Sequence, residues 1–211
     1  MYNKFKNVLV LSPHTDDAEL GAGAFIYKLI QAGANVIYAA FSTAEESVPK
    51  GQPRDILSTE VKAATQVLGI KSENLVLYKY GVRRLNYNRQ DILEDLIQLR
   101  KKCHFDLVLM PSKNDIHQDH QTIASEGLRA FKQTTILGYE LVWNNLAFNT
   151  TSFVVLDKKD VEKKVASLAC YESQNYRDYM SEDFIYSLAR TRGVQIGTEY
   201  AEAFEVVRFV L

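Results

Sequence analysis

Val8-Leu9-Val10-Leu11-Ser12-Pro13-His14-Thr15-Asp16-Asp17 is the stretch that decides how this chain folds. The apolar run Val8 to Leu11 reads as a buried strand, and Ser12-Pro13 bounds it. About a hundred residues later Asp106-Leu107-Val108-Leu109-Met110 reads the same way, is bounded by Pro111-Ser112, and is followed by His117-Gln118-Asp119-His120. Three of the four histidines therefore stand just past two predicted strands, each beside carboxylates. In an open parallel sheet, ligands sit in the crevice beyond the carboxyl ends of the strands. Two such strands would bring a small ionic site to one sheet edge.

Outward from these runs, strand-like and helix-like segments alternate. Ala18 to Ala32 carries apolar residues at helical spacing and is closed by Gly33. Asn35 to Phe41 is a second strand, Ser42 to Pro53 a loop, and Ile56 to Leu68 a helix ended by Gly69. Leu75 to Tyr78 makes a third strand, and a polar loop covers Lys79 to Asn88. Ile92, Leu93, Leu96, Ile97 and Leu99 mark a helix that leads into the Asp106–Met110 strand. Ile123 to Phe131 is helical and Ile136 to Val142 strand-like. The last third offers a strand at Phe153–Leu156, helices at Lys158–Tyr171 and Phe184–Ala189, and a terminal strand at Phe204–Val210. This alternation predicts an α/β, Rossmann-like, mostly parallel sheet with helices on both faces, in one domain over 1–211.

Bulk properties narrow the function classes. The chain has 211 residues, 46% of them apolar and 24% charged, with a formal net charge of −1. That is the composition of an ordinary globular protein, with no global field to recruit nucleic acid or an anionic membrane. Cys103 and Cys170 belong to no CxxC pattern and read as core thiols of a reducing compartment. The first residues carry no signal-peptide pattern and no run approaches a membrane span, so the expected location is cytoplasmic.

Histidine nitrogens and carboxylate oxygens suit Zn²⁺, which in catalytic sites takes three protein ligands and leaves one position open. His14 and Asp17, at i and i+3 where strand turns to helix, can converge on one point. His117 and His120 have the same spacing, and only one of them is needed as a ligand; the other can face the substrate. Asp16 is left as a carboxylate beside the metal, placed to take a proton during attack. The residues thus point to metal-assisted hydrolysis of an amide or ester. Against this, Asp16 and Asp17 could be plain helix-cap residues. His104 reads as part of a helix end, and Trp143-Asn144-Asn145 as packing and turn.

The segments His14-Thr15-Asp16-Asp17-Ala18-Glu19-Leu20-Gly21 and His117-Gln118-Asp119-His120 resemble those of the PIG-L/LmbE-like zinc de-N-acetylases. That family includes N-acetylglucosaminyl-phosphatidylinositol deacetylase and bacterial enzymes that deacetylate glucosaminyl-malate or glucosaminyl-inositol. The likeness continues in Glu60-x-x-Ala63-Ala64-x-x-x-Leu68-Gly69, in Tyr171-x-Ser173-Gln174 and in Arg192-Gly193-x-x-x-Gly197-x-x-Tyr200-Ala201-Glu202-x-Phe204. The resemblance implies removal of acetyl from an N-acetylglucosamine-type sugar or glycoconjugate by attack of a zinc-bound water. It implies His14, Asp17 and His120 as ligands of Zn²⁺ (or of Fe²⁺ or another divalent ion). Asp16 would be the general base, His117 the oxyanion stabiliser or acid, and Asp119 the partner that orients one imidazole.

Thr15 stands where the family often has proline or alanine, and Gln118 where it frequently has proline, both outside the implied ligand set. Leu57 stands where several members have an arginine; Arg54, one turn earlier, and Arg83 and Arg84 are the candidate substrate contacts. Homo-oligomers are common in the family. Two alternatives remain at this level: a zinc amidase acting on a sugar–thiol conjugate, and a non-catalytic nucleotide-binding module. The second lacks the phosphate loop that should follow the first strand, since Gly21-Ala22-Gly23 falls inside a predicted helix.

Overall fold

A computed structural model of the protein describes residues 4–210. The first strand, β1 (Asn7–Ser12), is buried over nearly its whole length and lies between two parallel partners. On one side are β2 (Asn35–Ala40) and then β3 (Leu75–Leu77); on the other are β4 (Leu107–Pro111) and β5 (Thr135–Tyr139). Alternate residues of β1 enter different cores, as strand geometry requires. Val8 and Val10 face one cluster, Leu9 and Leu11 the other. Strand β4 does the same with Leu107 and Leu109 against Val108 and Met110. Two-sided burial is why both strands read as unbroken apolar runs.

Helices α1 (Asp17–Gln31) and α2 (Ile56–Leu68) join β1, β2 and β3 over the first face, and α5 (Lys158–Leu168) and α6 (Glu182–Val194) pack there too. Helices α3 (Arg89–Lys102) and α4 (Gln118–Ala130) cover the second face. The chain thus winds outward from β1 in one direction, then crosses to β4 and continues in the other. The loops that follow β1 and β4 diverge at this reversal and leave a crevice at the carboxyl end of the sheet. Both histidine clusters lie there.

The sheet has seven strands among the described residues, in the order β3-β2-β1-β4-β5-β7-β6. The expected α/β sheet is present, with an antiparallel edge: β7 (Tyr200–Arg208) inserts between β5 and β6 (Ser152–Leu156) and opposes both. After β6 the chain passes through two helices, α5 and α6, and returns in the opposite direction as β7, so β5 and β6 run the same way on either side of it.

Several boundaries differ from the expectations. Helix α4 begins at Gln118 rather than Ile123, because its first turn is polar and carries no apolar period. The strand expected over Ile136–Val142 ends at Tyr139; beyond it the backbone amides of Asn144 and Asn145 both turn back onto the Leu141 carbonyl. Helix α6 is longer at both ends than expected, starting from a Ser181 cap. Strand β7 starts at Tyr200, ahead of the expected Phe204. Cys103 and Cys170 are half-buried at the margins of the two cores, not inside them.

Two glycines have specific work. Gly69 ends α2 with φ +90°, a left-handed conformation that side chains disfavour. Gly21 lets α1 lie directly on Tyr139; a Cβ there would sit 2.7 Å from the ring's Cγ. Gly21-Ala22-Gly23 is therefore a packing surface, as its place inside a helix implied.

Candidate metal centre

The chain leaves β1 through Pro13 and enters α1 at Asp17, and this turn is tied down before any ligand is considered. Ser12 Oγ donates to the His14 carbonyl at 2.5 Å and accepts the Ala18 amide at 3.1 Å. Below it, the buried Glu19 carboxyl meets the hydroxyls of Tyr38 and Tyr171, which also lie 2.9 and 2.7 Å from the Thr15 carbonyl. Burial raises the Glu19 pKa to about 8, against the opposing pull of the two tyrosine hydroxyls. The loop that carries His14, Asp16 and Asp17 thus rests on a buried polar floor. Glu60 adds a further tie by accepting both the amide and the hydroxyl of Ser173, at 2.8 and 2.6 Å. That contact accounts for two of the motif residues without giving either a chemical role.

Across the crevice, α4 starts on an unusual cap. His117 Nδ1 accepts the Asp119 amide hydrogen at 3.1 Å, which leaves the proton of its neutral ring on Nε2. One turn on, His120 is buried and faces His14.

Three donor atoms from the two loops converge. His14 Nδ1 lies 3.0 Å from Asp17 Oδ2, His120 Nε2 lies 3.3 Å from the same oxygen, and the two nitrogens are 3.3 Å apart. Tetrahedral coordination with ligand bonds of about 2.0–2.1 Å requires ligand atoms about 3.3 Å from one another. The triangle fits that requirement. A ring nitrogen of His117 lies within 4.8 Å of those of His14 and His120, and its ring stacks on His120 with centroids 4.4 Å apart.

The far side of each converging imidazole is held by a carboxylate. His14 Nε2 is 3.0 Å from Asp119 Oδ2, and His120 Nδ1 is 2.7 Å from Asp115 Oδ2. Protons on those outer nitrogens leave both inner lone pairs facing the centre. Asp119 also accepts the amides of Arg83 (2.5 Å) and Leu85 (3.1 Å), and Asp115 accepts the His117 amide at 2.8 Å.

The charges follow this geometry. Burial opposes a proton on His14, but Asp17 and Asp119 outweigh it and carry its pKa up to about 9. For His120 the same burial is overcome by Asp17 and Asp115, to about 10. Burial pushes Asp17 up, yet His120 and His14 hold it well below the usual carboxylate range. Asp16 is raised to about 6 by burial and then by Asp17, with His14 and Arg177 opposing. His117 is lowered to about 4 by burial and by the two charged imidazoles.

A cavity of about 300 Å³ opens onto these groups. His14, Asp16, Asp17, His117 and His120 all line it, as does Arg83, whose backbone has φ +63°. Arg54 and Arg84 are exposed and do not line it, so the structure does not bring them to the cluster. Other lining residues carried no chemical expectation: Gln174, Arg177 and Tyr179. Trp143 lines it too, with 38% exposure, while it also stacks on Tyr179 and lies in the turn expected there. Asp115 was also missed; its signal was a carboxylate two residues before one histidine and five before the other. No helix of the described residues is long and apolar enough to cross a membrane.

The profile of one family, described as PIG-L, GlcNAc-PI de-N-acetylase, matches residues 9–131. The chain is 25% identical over 232 aligned residues to diacetylchitobiose deacetylase of Thermococcus kodakarensis, covering 99% of this chain and 85% of that one. Its fold matches N,N'-diacetylchitobiose deacetylase from Pyrococcus horikoshii with a TM-score of 0.81 at 23% identity, covering 98% and 85% of the two chains. It also matches GalB, the 4-carboxy-2-hydroxymuconate hydratase from Pseudomonas putida KT2440, with a TM-score of 0.79 at 20% identity and 98% of each chain covered. One fold thus carries different reactions, so function must be argued from the side chains.

Proposed function

Because this chain belongs to the PIG-L de-N-acetylase family, we propose that it is a divalent-metal-dependent hydrolase. Its substrate would be the 2-acetamido group of a sugar or glycoconjugate, from which it releases acetate. The observation that carries this reading is the triangle of His14 Nδ1, Asp17 Oδ2 and His120 Nε2, backed by Asp119 and Asp115. Those three atoms would hold the ion, and zinc suits the set best. A divalent cation there supplies Lewis acidity, polarising the amide carbonyl and easing deprotonation of water.

The remaining steps belong to the chain. Asp16, with its pKa near 6, is ionised at neutral pH and basic enough to take the proton of the attacking water. Once the water oxygen has bonded to the carbonyl carbon, protonated Asp16 delivers that proton to the nitrogen as the C–N bond breaks. His117 lines the same cavity and presents Nε2–H, because Nδ1 is occupied by the Asp119 amide. It donates to the carbonyl oxygen as negative charge develops there. Acetate and a free amine leave.

The test begins with protein purified without chelator. About one equivalent of divalent ion and acetate release from N-acetylated sugars are expected. Asp16→Asn should lower kcat by about 10²–10⁴-fold and leave the metal content unchanged. Loss of metal in that variant would overturn the division of labour between Asp16 and Asp17.

A further inference from the structure

We infer that Trp143 and Tyr179 form a platform for a pyranose ring of the substrate, a saccharide subsite on the wall of the metal-centre cavity. The two rings are stacked with centroids 3.9 Å apart and planes 10° from parallel, and both line the cavity. Trp143 comes from the loop after β5 and Tyr179 from a short turn before α6, so the stack is a product of tertiary folding. It is also braced. Arg177 donates to the Tyr179 hydroxyl at 2.6 Å and to Gln174 Oε1 at 2.9 Å, and Gln174 is buried and bonded to Ser173.

Large apolar side chains are normally withdrawn from water, whereas Trp143 keeps 38% of its surface exposed within a cavity lined by charged groups. A rigid aromatic surface of this kind matches the apolar C–H face of a pyranose, while the ring's hydroxyls require polar partners at its edge. Two are present. Arg177 has no carboxylate within ion-pair distance among the described residues, and the Asn144 side-chain amide has no hydrogen-bond partner there. Both line the cavity beside the aromatic pair. Asn144 is also tied to the metal loop, since its carbonyl accepts the Ile116 amide at 3.0 Å. The nature of the ligand rests on the deacetylase reading; the platform itself does not.

Trp143 is the chain's single tryptophan, so its emission reports on this surface alone. Metal-loaded Asp16→Asn protein, slowed in turnover, is titrated with N-acetylglucosamine, N,N'-diacetylchitobiose and acetamide. A saturable change in emission is expected with the sugars and none with acetamide. In the otherwise unaltered enzyme, Trp143→Ala should raise KM for acetate release by about tenfold with kcat nearly unchanged, and Trp143→Phe should recover most of the loss. Acetate release with an unchanged KM in Trp143→Ala, or emission blind to saturating sugar, would remove the platform and leave the deacetylase standing. Saturable sugar-dependent emission without acetate release would keep the platform and overturn the deacetylase.

Discussion

Each converging imidazole is set by the carboxylate behind it. His120 donates to Asp115 at 2.7 Å, which fixes its tautomer and turns Nε2 inward. Asp115→Asn weakens that outer acceptor without touching the converging atoms, so metal affinity should fall by about 10–100-fold. Competition with a chromophoric chelator measures this directly, and an unchanged Kd would deny Asp115 any part in the site. The convergence of His14, Asp17 and His120 was legible from their spacing, because each follows a predicted strand near the start of a helix. Arg54 precedes α2 and stands apart from the cavity, because the loop before that helix carries it into solvent. Trp143 gave no usable signal, because its partner Tyr179 is distant in sequence.

Among the elements, α1 matters most, since its N-terminal residue is Asp17 and its early turns lie on Tyr139. A methyl group at Gly21 must displace either the helix or a buried ring whose hydroxyl is bonded to the Leu11 carbonyl. Gly21→Ala should destabilise the fold by about 1–3 kcal/mol and loosen metal binding, because lifting α1 moves Asp17 away from His120. Gly23→Ala is the natural control. The Cβ there would come no closer than 3.2 Å to the Lys164 side chain, and the smaller effect is expected in both thermal melts and metal titrations. Equal effects would show that close approach to Tyr139 is not what Gly21 provides. The elements with clear apolar period were legible in the sequence, while the start of α4 was not. Its first turn is built by His117 capping its own helix, which no hydrophobic pattern records.

For the whole molecule, the site joins two halves of the sheet, so binding of the proposed cation should be linked to stability. In the metal-free protein His14 and His120 hold protons with pKa values of about 9 and about 10, above the ordinary 6.5. Their contribution to stability is fully present below pH 6.5 and is lost as pH rises through 9 to 10. The cation must displace both protons, so its affinity rises with pH over the same range. The gain in Tm from a fixed free-metal concentration should therefore be larger at pH 8 than at pH 6.5, while the chelated protein melts lower at pH 9.5 than at pH 6.5. At about 1,000 times Kd the metal should contribute about 4 kcal/mol. A metal-dependent gain that ignores pH would mean the imidazoles are not the groups displaced.

The amino-acid sequence by itself determined the buried β1 and β4 strands, the parallel alternation around them, and the residue types able to hold a metal at their ends. Those features are local: apolar period, strand-ending prolines and i, i+3 spacing act over a few residues. Only the tertiary structure decided the insertion of β7 between β5 and β6, the tie from Asp115 to His120, and the aromatic wall of Trp143 and Tyr179. Each of these depends on distances between segments that no local pattern encodes, set by how the helices and loops pack once the sheet has formed.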